Sequence, residues 1–330
     1  MNNFNATAFE MPPRQNTEGG KPRRVGFELE FSGIDLAQTV DCVRAVLGGE
    51  VTAQTEAEVE LKVEGLGTFN LEIDWAYLKH MAAEPPVTEL GQDWLELLKQ
   101  AAELVVPIEV VCPPIAVSRL VELSPMVNAL KEAGAMGTEE SLISAYGVHI
   151  NTEIPALDAA TLQTYIQAYA LLQWWLVDTH KVDVARRISP YINLYPEAYL
   201  KQVLLQTEVT MDQIFDAYLQ HNPSRNRALD LLPLLAEIDE QRVRRAVDDP
   251  RIKARPAFHY RLPDCHIEQT DWSLQVPWSS WLVVEKLASR PQDLKKLATH
   301  FLNSERPLLD VSRSDWVEFM DQWLQDHELV

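Results

Sequence analysis

The sequence predicts an α+β fold built around an antiparallel sheet. Strand-like alternation appears early and once more late in the chain, helical spacing fills the stretches between and after, and regular βαβ alternation is absent. The 330 residues are 46% hydrophobic and 24% charged, an ordinary globular balance with enough apolar material for a sizeable core and no need of staples.

Taken in order, Met1 to Pro22 is polar, carries Asn5, Gln15, Asn16 and Gly19–Gly20, and has no apolar h-region, so it reads as a disordered leader rather than a signal peptide. Arg24-Val-Gly-Phe-Glu-Leu-Glu-Phe31 alternates with period two, which predicts a strand. Asp35 caps a helix with Leu36, Val40, Val43 and Leu47 on one face, ended by Gly48–Gly49. Val59, Leu61 and Val63 alternate with charged residues as a half-exposed strand, and Gly65 and Gly67 turn the chain into a hairpin partner over 68–73. A helix over about 92–106, a short strand Ile108–Val111 and a helix opened by Ser124–Pro125 and closed by Gly134 follow. The spacing then predicts a strand over 145–154 and a strongly apolar helix from Asp158 to about His180. Short helices interrupted by Pro190, Pro196, Pro223 and Pro233 fill the middle third. An extended run, Ala257 to Leu262, precedes a helical C-terminal part with Trp278, Trp281, Trp316 and Trp323.

A formal net charge of −20 argues against a nucleic-acid surface and against docking on an anionic membrane. It suits a site that gathers divalent cations. No apolar run approaches the roughly 20 residues of a membrane helix, and the cytoplasm is the expected location. Cys42, Cys112 and Cys265 are widely spaced and odd in number, which argues against a disulfide framework or zinc knuckle and favours small buried apolar residues over nucleophiles.

The candidate chemistry begins with Glu28 and Glu30. Residues two apart on a strand share a face, so the two carboxylates project side by side with nothing basic between them. A cation would compensate them; a solvated strand face is the equal alternative. Glu72 and Asp74 end the hairpin strand, and Glu109 lies in the apolar stretch 105–111, where an unpaired charge is costly. His149 and Asn151 share one face of their strand. Arg255, His259 and Arg261 lie on or beside the late one, where guanidinium groups are able either to clamp phosphates or to pair with surface acids. No GxxxxGK[ST], GxGxxG, GxSxG or HExxH pattern is present.

In their order along the chain, Gly26-Phe-Glu-Leu-Glu30, Asp74, Glu109-Val-Val-Cys-Pro113, Gly147-Val-His149 and His259-Tyr-Arg261 resemble the motifs of the bacterial amidoligases. These belong to the carboxylate–amine ligase superfamily related to glutamate–cysteine ligase and glutamine synthetase. The resemblance spans residues 24 to 262. It implies a glutamine-synthetase-like antiparallel sheet curved into a trough for ATP and two or three Mg²⁺ (or Mn²⁺), with a catalytic domain over 23–270. A helical insertion would occupy about 158–250, and a helical extension, 271–330, would pack on the same domain. By the same resemblance Glu28, Asp74 and Glu109 hold one metal, while Glu30 and His149 hold another. His259 stands at a further metal position, where the family carries a glutamate; Asn151 stands where a second histidine is usual. Arg261 neutralises the transferring phosphoryl group, with Arg255 and Asn151 beside the nucleotide, and Glu28 and Glu30 take part in catalysis. The implied reaction is phosphorylation of a substrate carboxylate by ATP, followed by attack of an amine on the acyl phosphate. A metal-dependent hydrolase and a non-catalytic binding member are the alternative readings. The sequence selects neither the carboxylate and amine, small-molecule or peptide, nor an oligomeric state.

Overall fold

The computed structural model describes residues 8–73, 107–138, 146–182, 186, 192–304 and 311–330. Among them a nine-stranded sheet is flanked by nine α-helices. The strands are β1 Arg24–Phe31, β2 Glu50–Gln54, β3 Glu58–Val63, β4 Gly67–Ile73, β5 Ile108–Val111, β6 Ile115–Ala116, β7 Val148–Glu153, β8 Leu229–Asp230 and β9 Ala257–Tyr260. They run in the order β2-β3-β4-β5-β1-β7-β9-β8, with β6 pairing the start of β1 and every pairing antiparallel. The early strands and the late one predicted from alternation thus meet in one sheet, and β1 is central to it.

Alternation divides the sheet into an apolar and a polar face. On β1 the side chains of Val25, Phe27, Leu29 and Phe31 are fully buried, while Glu28 and Glu30 between them are not. Each such apolar side chain removed from water contributes about 1.5–3 kcal/mol, which pins the register, because a one-residue slip would put all four on the polar face. α1 (Leu36–Leu47) packs against β3 and β4; Asp35 and Gln38 close its first turn in a reciprocal capping box, and the Gly48 amide donates to the Arg44 carbonyl. α2 (Ser124–Glu132) begins with proline in its first turn and follows a 3₁₀ stretch, Val117–Leu123, that the sequence does not signal.

α3 (Ala159–Thr179), capped by Asp158, covers the apolar side of β9: Tyr165 stacks on Phe258 at 4.9 Å and Tyr169 lies edge-on to Tyr260 at 6.2 Å. Trp281, on α7 (Gln275–Ala288), completes that layer at 5.5 Å from Phe258 and 5.3 Å from Tyr260. Between them come α4 (Glu197–Leu205), α5 (Met211–His221) and α6 (Leu232–Ala246). Here proline opens helices as well as separating them: Pro196 is the N-cap of α4 and Pro233 lies in the first turn of α6. α8 (Pro291–Asn303) and α9 (Arg313–Asp326) finish the chain against α3.

Several expectations are corrected or fall outside the described residues. Residues 8–22 are not a loose leader: Phe9 is buried, the Glu18 amide donates to the Pro155 carbonyl, and Trp278 donates from Nε1 to the Glu10 carbonyl. Arg23 then anchors the start of β1 through a buried bidentate pair with Glu285 on α7, 2.7 and 2.9 Å, which Tyr165 and Trp281 also contact. The expected helix over 92–106 and Asp74 lie outside the described residues. Among the described residues no helix is long and apolar enough to cross a membrane.

Candidate functional site

The pleat gathers the singled-out residues on the polar face of the sheet. Glu28 is the register partner of His149, Glu30 of Glu109, and Asn151 of His259; His259 in turn pairs with Asp230 of β8. Because partners across a ladder project to the same side, a band of ionisable groups crosses from β5 through β1, β7 and β9 to β8.

On the acidic side, Glu28 is closely held. Its Oε2 lies 2.7 Å from His149 Nδ1, and its Oε1 accepts from Asn151 Nδ2 at 2.8 Å. His259 Nε2 approaches the same Oε2 at 3.5 Å. Glu30 accepts from the Gly147 amide at 2.7 Å, and its other oxygen lies 3.4 Å from His149 Nε2. Glu28, His149 and His259 form one group, and Glu30, Glu109 and His149 another, in which single ligand atoms lie within 4.8 Å of one another. Gly147 is required by its neighbours. A Cβ there would sit 2.6 Å from the Arg186 guanidinium and 3.3 Å from Glu30 Oε2. Arg186 cannot easily yield, since it donates to the carbonyls of Arg261, Leu262 and Pro263 and to Asp264.

On the cationic side, Arg255 donates to Asn151 Oδ1 at 2.7 Å, so Asn151 couples it to Glu28. Arg261 faces His259 Nδ1 at 3.3 Å and Asp230 Oδ2 at 3.9 Å. Four buried polar atoms here have no hydrogen-bond partner among the described residues: Asp230 Oδ2, His259 Nε2, Arg255 Nε and Arg261 Nε. Arg225 adds a further positive charge to the same neighbourhood, 4.0 Å from Asp249.

Burial alone would raise the Glu28 carboxyl, but the imidazoles of His259 and His149 hold it well below its usual range. Burial, reinforced by Arg261, pushes His259 well below the ordinary histidine value, against the pull of Glu28. Asp230 is pushed up to about 6 by burial, against the pull of Arg261, the Leu232 amide, Arg225 and Arg255. Burial likewise raises the thiols of Cys112 and Cys265, which behave as packing residues.

Of the residues singled out from the sequence, Glu28, Glu30, Glu109, His149, Asn151, Arg255, His259 and Arg261 come together on this face. Sequence reasoning missed Asp230 and Arg186. Asp230 carries the signal that drew attention to Glu109, an acid inside an apolar run (Ala228-Leu-Asp-Leu-Leu232). Arg186 carries none, because its role is set by tertiary placement.

The donor set fits the groups expected from the sequence. Carboxylate oxygens with one imidazole suit a hard or borderline divalent cation, and buried guanidinium N–H groups without acceptors suit a polyanion such as a nucleotide phosphate chain. In comparison with known proteins, a family model described as "putative amidoligase enzyme" matches residues 21–283. No curated protein and no solved structure is significantly similar to the chain.

Proposed function

Since the chain belongs to the amidoligase family, whose model spans residues 21–283, we propose that it is a ligase driven by ATP and Mg²⁺ that joins a carboxylate to an amine through an acyl phosphate. The observation that carries this reading is the adjacency on one sheet face of a carboxylate–imidazole cluster and a guanidinium pair with unpartnered buried N–H groups, bridged by Asn151. Phosphoryl transfer needs alignment and charge neutralisation rather than a protein nucleophile, and this face offers both without one.

In this reading Glu28 and Glu109 serve one divalent ion and Glu30 and His149 another, and these supply charge neutralisation for the phosphate oxygens when bound. Asp74, outside the described residues, keeps the ligand role the resemblance gave it. Arg255 and Arg261 take the phosphates, with Asn151 holding Arg255 in place. The γ-phosphoryl group passes from ATP to the substrate carboxylate oxygen as ADP leaves. The amine nitrogen then attacks the acyl carbon, forming the C–N bond as inorganic phosphate departs and the amine loses a proton. The sheet is of the glutamine-synthetase type, the catalytic domain runs over 23–270, and the substrates are small-molecule or peptide carboxylates and amines handled in the cytoplasm.

Calorimetric titration of a non-hydrolysable ATP analogue with Mg²⁺, with Mn²⁺ and with chelator tests the reading. Metal-dependent binding, followed by ADP release that requires both an amine and a carboxylate, is the expected result. Absence of metal-dependent nucleotide binding overturns it.

A further inference from the structure

We propose that Arg225 and Arg261, at the β8 end of the polar face, form a subsite for one oxyanionic group, a phosphate or a carboxylate, apart from the cation groups. That subsite rests on the ligase reading above for its ligand, which is either the nucleotide phosphate chain or a non-reacting carboxylate of the acid substrate. Arg225 belongs to none of the motifs that carry the family resemblance.

A fixed segment between α5 and β8 presents Arg225. The Ser224 amide donates to the Asn222 carbonyl, and the Asn226 amide donates to Ser224 Oγ. Arg227 donates to the carbonyls of Leu194 and His221, and Asn222 is fully buried. The same segment is tied to Arg261, the residue after β9, whose amide donates to the Ala228 carbonyl at 2.8 Å. Arg225 therefore stands three residues from the backbone acceptor of Arg261.

Held there, the Arg225 side chain is 20% exposed and makes no hydrogen bond among the described residues; its ion-pair contact is Asp249 Oδ2, 4.0 Å away. Asp249 is already engaged. Its Oδ1 accepts from the Arg251 amide and Nε, both at 2.9 Å, and its Oδ2 accepts from Arg251 Nη2 at 2.7 Å. Arg261 is no better supplied: its buried Nε has no partner among the described residues, and Asp230 Oδ2 stands 3.9 Å from its Nη2. Asp230 acts on both guanidinium groups and hydrogen-bonds to neither. Burial, and after it the charge of Arg261, holds Arg225 below the ordinary arginine value despite the pull of Asp230 and Asp249. A guanidinium keeps its charge, so this pair calls for an acceptor that the described residues do not supply.

A planar fork with free N–H groups matches the oxygens of a phosphate or carboxylate two at a time. The two ends of the cationic half differ in what they face. Arg255 is coupled through Asn151 to Glu28, on the side of the cation groups. Arg225 is acted on by Arg261, Asp230, Arg251 and Asp249, on the side of β8. Arg261 lies between them and is able to share an anion with either.

The test is calorimetric titration of inorganic phosphate, and separately of succinate, into the full-length chain in chelator, so that no divalent ion takes part. One oxyanion per chain is expected, with affinity falling as salt rises. R225Q should lose about 10–100-fold in affinity, the worth of one charge-assisted hydrogen bond. R225K, which keeps the charge without the fork, should lose less, and R242Q, at a surface arginine paired with Asp212 and Asp216, should lose nothing. Repeating the phosphate titration with Mg²⁺ and a non-hydrolysable ATP analogue bound identifies the source of the anion. Blocked binding marks the nucleotide phosphates, and undiminished binding marks a second anionic group on the acid substrate. No oxyanion binding by the wild-type chain, wild-type affinity in R225Q and R225K, or an equal loss in R242Q overturns the subsite and leaves the ligase reading standing. Phosphate binding in chelator without metal-dependent nucleotide binding overturns the ligase reading alone. Because R225K and the wild-type stoichiometry are read as well, a misfolded R225Q does not remove the test.

Discussion

Glu28 on β1 and His149 on β7 are register partners whose side chains meet at 2.7 Å, and Asn151, two residues further along β7, holds the second oxygen of the same carboxylate. Asn151 in turn receives Arg255 at 2.7 Å, so a chain of hydrogen bonds links the acidic and cationic halves of the face. Replacing Asn151 by alanine strands a carboxylate oxygen and a guanidinium at once. We expect N151A to lower stability by about 1–3 kcal/mol and to weaken metal-dependent nucleotide binding, measured by urea unfolding and calorimetry. An unchanged unfolding midpoint with unchanged binding would mean that water replaces Asn151 without cost.

Gly147 is expected to be intolerant for a reason independent of backbone conformation. The added methyl group of G147A would meet the Arg186 guanidinium at 2.6 Å and crowd Glu30. Arg186 is fixed by four acceptors between Arg261 and Asp264, so the strain passes to Glu30 and to the loop after β9. A loss of about 1–3 kcal/mol in stability, as for overpacking in a core, with reduced Mn²⁺ affinity, is the predicted pair of results. Wild-type affinity in G147A would show that Arg186 moves aside freely.

Arg261 tests the chemistry itself. A group that neutralises charge growing on a transferring phosphoryl acts most strongly in the transition state. R261A should therefore lower kcat by about 10²–10³-fold, in line with the loss of one well-placed transition-state donor, with a smaller change in KM for ATP. Steady-state ADP release measures both, and an unchanged kcat removes Arg261 from the site.

How far the sequence discloses this site depends on the length of each element. β1 is legible because eight alternating residues bury four apolar side chains and leave Glu28 and Glu30 on the other face. The glycine-ended α1 and the proline-opened α2 follow from their end residues alone. β8 has only two residues, too few to show a period, so Asp230 reads as part of a helical region although it pairs with His259. β2 is exposed along its whole length, which leaves no alternation to read. The packing of residues 8–22 is invisible for a different reason: their partners, Pro155 and Trp278, are more than a hundred residues away.

The buried pair Arg23–Glu285 predicts a stability effect without a site effect. Both side chains are fully buried, and Glu285 also accepts from Tyr165 and Trp281. Removing one partner leaves an uncompensated buried charge, so R23M is expected to cost about 3–5 kcal/mol, whereas R23M/E285M recovers much of the loss. Thermal or urea unfolding of the single and double variants checks this. Equal losses in both would show that the pair itself stabilises the fold.

Acidity acts on this protein in two opposite senses within one pH window. Asp230 has a folded value of about 6 against 3.8 when unfolded, so the native state binds its proton more tightly. Its contribution is complete below 3.8 and is lost as pH rises towards 6, a change of about 3 kcal/mol at 1.36 kcal/mol per unit. His180 has the opposite sign. Burial, together with Arg186 and His266, lowers it to about 3 from 6.5, and its Nε2 lies 2.9 Å from the Tyr260 hydroxyl. The unfolded chain therefore takes up a proton the native ring refuses, and stability falls as pH drops below 6.5. Unfolding free energies at pH 4 and pH 7 separate the two groups: relative to wild type, D230N should gain stability on going from pH 4 to pH 7, and H180N should gain it on going from pH 7 to pH 4. If D230N tracks the wild type at both pH values, Asp230 is ionised throughout, and the neighbouring arginines and the Leu232 amide outweigh its burial.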